Sequence, residues 1–388
     1  MTEKQKQEQQ YDGYEVGPIR PPSEAMSLMI RITRNCPWNQ CRFCSLYKGE
    51  KFRVRPTEHV CKDIEIIKGF IDAFRMVDRG MAAESSRIVD ELRKDGLPGM
   101  EWAYHAALNW YRSGMESIFL QDANSLVIKP ANMIEILSFM RKSFPDVKRI
   151  TSYARSHTIA RISDEDLKEI ADAGLNRIHI GMETGCDEVL DLVRKGVHKD
   201  DHIAAGQKIK RTSIELSEYF MPGLGGNEFS RENAVETADA LNQINPDYIR
   251  IRTLAIPENT LLHEDYQKGV FTRTNDVQMV QELYWLIEKL DGITSMVKSD
   301  HILNLLPEVE GQLPEDKEKM MAVMQWFLSL EPNEQMIFRI GRRTGIMNDT
   351  GDLSNDARRS RVTQIIQQNQ ISLENVDQVT DELIKRFI

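Results

Sequence analysis

Three cysteines fall within nine residues, in the run Cys36-Pro-Trp-Asn-Gln-Cys41-Arg-Phe-Cys44. Thiols at this density on a short loop point to a metal site. Cys61 and Cys186 bring the total to five in 388 residues, an odd number in a long chain, which argues against a disulfide scaffold. Three thiolates on a four-iron cluster leave one iron without a protein ligand, so the cluster can bind a substrate or cofactor directly. A structural zinc needs a fourth ligand, and His59 or Cys61 supplies one, so Cys36, Cys41, Cys44 and Cys61 stand as an alternative zinc set. Glu183 is a second point of interest: a carboxylate at the end of an apolar run, between Gly181 and Gly185, can accept two hydroxyl hydrogen bonds.

These residues need a scaffold, and the apolar and β-rich runs supply one. Residues 27–33 predict a buried strand leading straight into the cysteine cluster, and further strands are expected at 117–120, 149–153, 177–182, 214–221 and 248–254. From the second onward they start about 30 residues apart, the length of a strand-helix-strand unit, which implies parallel pairing in a full or partial α/β barrel. Helix signals lie between them: Pro130 opens one helix, Ser163 with Asp166 caps another, Gly174 stops it, and Ser230 and Pro246 bracket a third. The first connection, 57–112, is longer than the others and should hold more than one helix, broken near Gly80 and Pro98-Gly99. Residues 1–24 read as a polar leader, 25–270 as the barrel domain and 271–388 as a mostly helical accessory region. That region carries helices at 277–290 and 314–330, a possible strand at 294–297 and two short amphipathic helices after 355. A cluster at the exit of the first strand would sit where barrel enzymes place their chemistry.

Composition narrows the class. With 41% hydrophobic and 28% charged residues the chain is neither disordered nor fibrous. Its net charge of −10 is unsuited to holding a phosphate backbone by bulk electrostatics, so nucleic acid is not the expected partner. No stretch reaches the roughly 18 apolar residues of a membrane span and no signal-peptide core follows the polar start, which predicts a cytoplasmic protein without membrane attachment.

The cysteine run resembles the signature of the radical S-adenosylmethionine (radical SAM) enzymes, C-x3-C-x-aromatic-C after the first barrel strand. Phe43 takes the aromatic place, and the chain departs by one residue, with four between Cys36 and Cys41. The likeness extends over the strand order to about Leu254 and is greatest to the branch of methylthiotransferases, the elongator acetyltransferase subunit and oxygen-independent coproporphyrinogen oxidase. It implies a partial (β/α)6 TIM-like barrel and an oxygen-sensitive [4Fe-4S] cluster on Cys36, Cys41 and Cys44, with S-adenosylmethionine on the open iron. An electron from a flavodoxin or ferredoxin would then cleave that cofactor to a 5′-deoxyadenosyl radical.

The resemblance also implies roles for single residues. Glu183, in Gly181-Met-Glu-Thr-Gly185, is similar to the family's ribose-contacting turn. Asp122 stands where the family has Gly-Gly-Glu for the cofactor's amino group, and Ser152 and Arg155 stand where its carboxylate would be gripped. Gly223-Leu-Gly-Gly226 is similar to a Gly-rich turn of the coproporphyrinogen oxidase relatives, and residues 251–254 would flank adenine. Arg252 would meet a carboxylate of protein or ligand. Cys186, beside Gly185, is a candidate hydrogen-atom donor or a small buried residue. Arg339, Arg342 and Arg343 form a basic group expected on a solvated face. With only two cysteines outside the run, a second four-iron cluster is not expected. The substrate expected is a small molecule, the alternatives being tRNA, a peptide, or a zinc-stabilised barrel acting as a scaffold.

Overall fold

The computed structural model describes residues 10–94 and 96–387. Its strands are β1 (Leu28–Arg31), β2 (Thr33–Arg34), β3 (Arg53–Val54), β4 (Ser117–Gln121), β5 (Arg149–Ala154), β6 (Arg177–Glu183), β7 (Glu215–Phe220), β8 (Tyr248–Ile251), β9 (Met296–Lys298) and β10 (Gly311–Gln312). Eight of them form one sheet in the order β1-β4-β5-β6-β7-β8-β9-β10, and β2 pairs with β3 alone. The β1·β4, β4·β5, β7·β8 and β8·β9 ladders are parallel, while β10 joins β9 antiparallel. This α/β alternation is that of a partial barrel, as the strand spacing implied. The sheet continues past the sixth expected strand, because β9 pairs with β8 through Ile249↔Val297. β9 overlaps the strand expected at 294–297.

The chain divides into two compact units, one holding residues up to 39, 46–179 and 211–215, the other 40–45, 180–210 and 216–388. In the first, α1 (Thr57–Asp78), α2 (Ala82–Arg93) and α3 (Met100–Arg112) fill the long connection, followed by α4 (Pro130–Ser143), α5 (Ser156–Arg161) and α6 (Asp164–Asp172). Val60, Ile64, Ile67, Phe70, Ile71 and Phe74 recur at helical spacing along α1 and are buried. Pro130 stands in the first turn of α4, Ser163 Oγ accepts from the Asp166 amide at 3.0 Å, and Gly174 takes φ 112° after α6. The first nine residues of the expected leader lie outside the described residues. Those that follow are fastened down: Tyr14 is buried and its hydroxyl donates to Met29 O at 2.6 Å, and the Gly17 amide donates to Gln121 Oε1 at 2.9 Å.

The second unit contains α7 (Asp187–Leu192), α8 (Lys199–Lys210), α9 (Ser230–Ile244), α10 (Leu261–Gln267), α11 (Asp276–Lys289), α12 (Lys317–Ser329), α13 (Pro332–Arg343), α14 (Asp356–Gln368) and α15 (Val376–Ile384). Across the boundary expected at 270, Glu282 of α11 accepts from Gly223 N at 2.9 Å and Asn233 Nδ2 at 2.6 Å. Ser230 does not cap α9, because its hydroxyl donates to Glu282 Oε2 at 2.7 Å. The arginines expected on a solvated face are internal. Arg339 and Arg343, one turn apart on α13, are each 4% exposed and both grip Asp276. These arginines hold the Asp276 carboxyl down at about 2 against the opposing effect of its burial. Arg342 donates to the carbonyls of Leu305 and Asn348 at 2.9 and 2.7 Å. Among the described residues no helix is long and apolar enough to cross a membrane.

Candidate metal centre and cofactor site

The cysteine loop hangs from a closed base, where β2 and β3 pair through Thr33↔Val54 and Arg34↔Arg53. Asn35 and Asn39 turn the chain with φ of 69° and 46°, a region that asparagine tolerates better than most residues. Asn39 Nδ2 donates to Tyr47 O, Lys48 Nζ donates to Asn39 O at 3.0 Å, and the Asn39 amide points at Cys36 Sγ, 3.4 Å away. The middle of the loop, residues 40–45, belongs to the second unit. There the Arg42 amide donates to Val193 O at 2.9 Å, and Arg42 O accepts from Leu262 N at 3.0 Å. Phe43 packs on the apolar cluster that includes Val189, Val193, Leu254 and Leu262, with Lys195 Nζ 5.7 Å from its ring centre.

Cys36, Cys41 and Cys44 are in no disulfide, and each is partly exposed. Among the described residues no three His, Cys, Asp or Glu side chains converge on a common metal position. The donor set nonetheless fits a three-thiolate cluster, with an amide donor on one sulfur of the kind that tunes such ligands. Burial, reinforced by Glu135, Glu65 and Glu58, pushes the thiol of Cys61, considered above as a fourth zinc ligand, up to about 11. His59 packs edge-on against Tyr11, with ring centres 5.4 Å apart.

Asp122, at the end of β4, is fully buried. Its carboxylate accepts from Arg31 Nε and Nη2 at 2.9 and 2.7 Å, from the Asn35 amide at 3.1 Å and from Tyr47 Oη at 3.2 Å. It thus ties β1 to both flanks of the cysteine loop. Ser152 pairs with Leu120 on β4, on the face opposite Thr151 and Tyr153, and its hydroxyl donates to Tyr153 O at 3.0 Å. That face carries Ile150, so Ser152 is placed away from the polar side of β5. Arg155 follows β5, its amide held by Asn124 Oδ1 at 3.2 Å and its guanidinium 5.0 Å from the Trp38 ring centre. Of the three, Arg155 alone lies beside a loop residue while keeping a charged group near the surface.

In the second unit Glu183 ends β6 with φ 68°. Its Oε1 meets Lys195 Nζ at 3.2 Å, and its Oε2 is buried with no hydrogen-bond partner. A Cβ on Gly181 would meet Glu183 Oε1 at 2.3 Å, and one on Gly185 would meet the Glu236 carbonyl oxygen at 2.6 Å, so each flanking glycine permits a close approach. Glu218 on β7 lies close to this pair and was not anticipated. It is 1% exposed, both its oxygens lack partners, and burial assisted by Glu183 pushes its carboxyl well above the usual range against the pull of Lys195. An acid inside the run Glu-Leu-Ser-Glu-Tyr-Phe was the available signal.

Cys186 lies in the apolar cluster with Val189 and Val193; its thiol, 3.2 Å from Glu188 Oε2, is pushed up to about 11, chiefly by burial. This placement is that of a small core residue. Gly223 and Gly226, at φ 89° and 59°, turn the chain against Met279 and Phe271 and so serve packing first. Past β8, Asn304 clamps the backbone, accepting from Thr253 N at 3.1 Å and donating to Ile251 O at 2.9 Å. The Arg252 amide donates to Phe220 O at 2.9 Å. His301 nearby is pushed down to about 4 by burial and by Arg252.

Residues 104–238, which span β4 to α9, match the family model of the radical SAM superfamily. About a third of the chain is thus similar to radical SAM domains. This family uses a [4Fe-4S] cluster and S-adenosylmethionine, in keeping with the cysteine donor set. A tRNA uridine(34) acetyltransferase of Methanocaldococcus jannaschii is 22% identical over 286 residues, 68% of this chain and 49% of that protein. The heme chaperone HemW of Bacillus subtilis is 21% identical over 215 residues, 55% of this chain and 52% of that protein. The chain therefore spans about half the length of these curated relatives. Methylornithine synthase (PylB) superimposes with a TM-score of 0.43 at 15% identity, over 71% of this chain and 66% of that one. Glu183, Cys186 and Glu218 lie inside the matched residues, and the cysteine run at 36–44 lies outside them.

Proposed function

We propose that this protein is a cytoplasmic radical SAM enzyme that holds one [4Fe-4S] cluster on Cys36, Cys41 and Cys44 and acts on a small molecule. The observation that carries the reading is the three-cysteine loop, without a disulfide and with the aromatic Phe43 in place, on a chain whose residues 104–238 match the family model. When bound, the cluster supplies the electron that cleaves S-adenosylmethionine to the radical that takes a hydrogen atom from the substrate. The chain's own residues bind and orient. Asp122 fixes the loop's flanks, Glu183 presents a carboxylate oxygen for ribose hydroxyls, and Arg155 offers a cation to the amino-acid end of the cofactor. A flavodoxin or ferredoxin is the proposed electron donor.

A tRNA substrate is the second reading. The net charge of −10 argued against it, yet two curated relatives are named tRNA uridine(34) acetyltransferases. Tight, salt-sensitive binding of bulk tRNA would favour it over the small-molecule reading. The enzyme assignment itself is tested anaerobically by reconstituting with iron and sulfide, adding dithionite and S-adenosylmethionine, and quantifying 5′-deoxyadenosine. Product is expected from wild type and not from Cys41→Ala; product from neither overturns the assignment.

A further inference from the structure

A carboxyl group removed from water normally has partners, because an unpaired buried polar atom costs on the order of 1–3 kcal/mol. The other buried acids obey this rule. Asp276 has Arg339 and Arg343, Asp63 has Arg55 and Tyr11, Glu282 has three donors and Asp122 has four. Glu218 is the exception, with neither oxygen partnered among the described residues.

The strand register places this unmet acid. Met221 N donates to Glu183 O at 2.8 Å, as Arg252 N donates to Phe220 O at 2.9 Å, and the latter bond accompanies the pair Phe220↔Ile251. The same parallel pattern sets Phe220 beside Glu183 and Glu218 beside Gly181, so Glu218 projects from the face on which Gly181 lacks a side chain. A Cβ on Gly181 would lie 2.3 Å from Glu183 Oε1 and 3.2 Å from Lys195 Nζ. On its other side Glu218 is paired with Ile249, which offers no charge. Among the described residues the charged groups acting on Glu218 are the Glu183 carboxylate and the Lys195 ammonium, the latter engaged with Glu183 Oε1 at 3.2 Å. Three acceptor oxygens remain, Glu183 Oε2 and both of Glu218.

A ligand group that suits this set brings N–H donors and positive charge. An anion would meet two carboxyl groups, and an apolar group would leave all three oxygens unpaired. We propose that Glu218, beside the Glu183–Lys195 ion pair, binds the primary ammonium group of a small-molecule substrate. The proposal rests on the radical SAM reading only in calling that ligand a substrate. Because burial and Glu183 hold Glu218 well above the usual carboxylate range, a cation arriving there displaces its proton.

The test is calorimetric titration of the reconstituted protein with n-butylammonium chloride, using sodium butyrate and butanol as controls, in two buffers of different ionisation heat. Butylammonium is expected to bind with release of about one proton. Glu218→Gln should weaken that binding by at least about tenfold, the lower range for a charge-assisted hydrogen bond. Equal binding by Glu218→Gln, or tighter binding of butyrate, overturns the proposal, and displacement of the amine by S-adenosylmethionine overturns the substrate assignment. Should Glu218→Gln fail to fold, Glu218→Asp takes its place, with weakened binding expected and unchanged affinity decisive against. Absence of 5′-deoxyadenosine from wild type would strike the radical SAM reading and leave this titration standing.

Discussion

Asp122 and Glu218 are both fully buried acids on or just past parallel strands, and each lies near a glycine and a cation. Asp122 accepts from Arg31, Asn35 and Tyr47, and a Cβ on Gly17 would meet its Oδ1 at 2.0 Å. Glu218 accepts from nothing. The first carboxylate is spent on holding the cysteine loop to β1, while the second is left for something the chain does not itself contain. Satisfaction of hydrogen bonds, more than burial or charge, separates a structural acid from a binding one.

Removing the satisfied acid should have the largest effect. Asp122→Ala takes one of two carboxylate partners from Arg31, Glu15 remaining, and strips the Asn35 amide and Tyr47 hydroxyl of their acceptor, and should cost about 3 kcal/mol in urea unfolding. A loss below about 1 kcal/mol would erase the contrast. Gly17→Ala should cost about 2 kcal/mol, since its methyl group collides with the Asp122 carboxylate, which is held too firmly to yield. Acid titration sharpens the comparison further. Glu218 has a raised folded value, so its contribution to stability is complete below its unfolded value near 4.5 and is lost as pH rises above it, at up to about 1.4 kcal/mol per pH unit. Glu218→Gln should flatten that slope. Asp276 runs the other way: its folded value of about 2 lies below 3.8, so its contribution is present above 3.8 and lost as pH falls towards 2. The smallest effect belongs to the stability of Glu218→Gln at pH 5, expected within about 1 kcal/mol of wild type because no partner is lost.

The strands were legible in the sequence because buried parallel strands read as short apolar runs at a regular interval, and β1, β4, β5, β6, β7 and β8 all lie where that interval put them. The cysteine run and the Gly-Met-Glu-Thr-Gly turn were legible for a related reason, since their chemistry depends on local spacing. What escaped depended on contacts distant in sequence. Asp122 looked like a ligand until Arg31 and Tyr47 arrived from 91 and 75 residues away. Helix α13 was hidden because its buried stripe carries Arg339 and Arg343, whose partner Asp276 lies on another helix. Glu218 was passed over because a lone acid in a strand is ordinarily a solvated residue, and only the fold shows that both its oxygens are buried.

The central claim is that Cys36, Cys41 and Cys44 hold a cluster with an iron open to S-adenosylmethionine. Electron paramagnetic resonance of the dithionite-reduced, reconstituted protein tests it most directly. The account predicts one [4Fe-4S]+ signal in wild type that changes when S-adenosylmethionine is added and is lost in Cys41→Ala. A colourless wild-type protein with stoichiometric zinc and no such signal would contradict it.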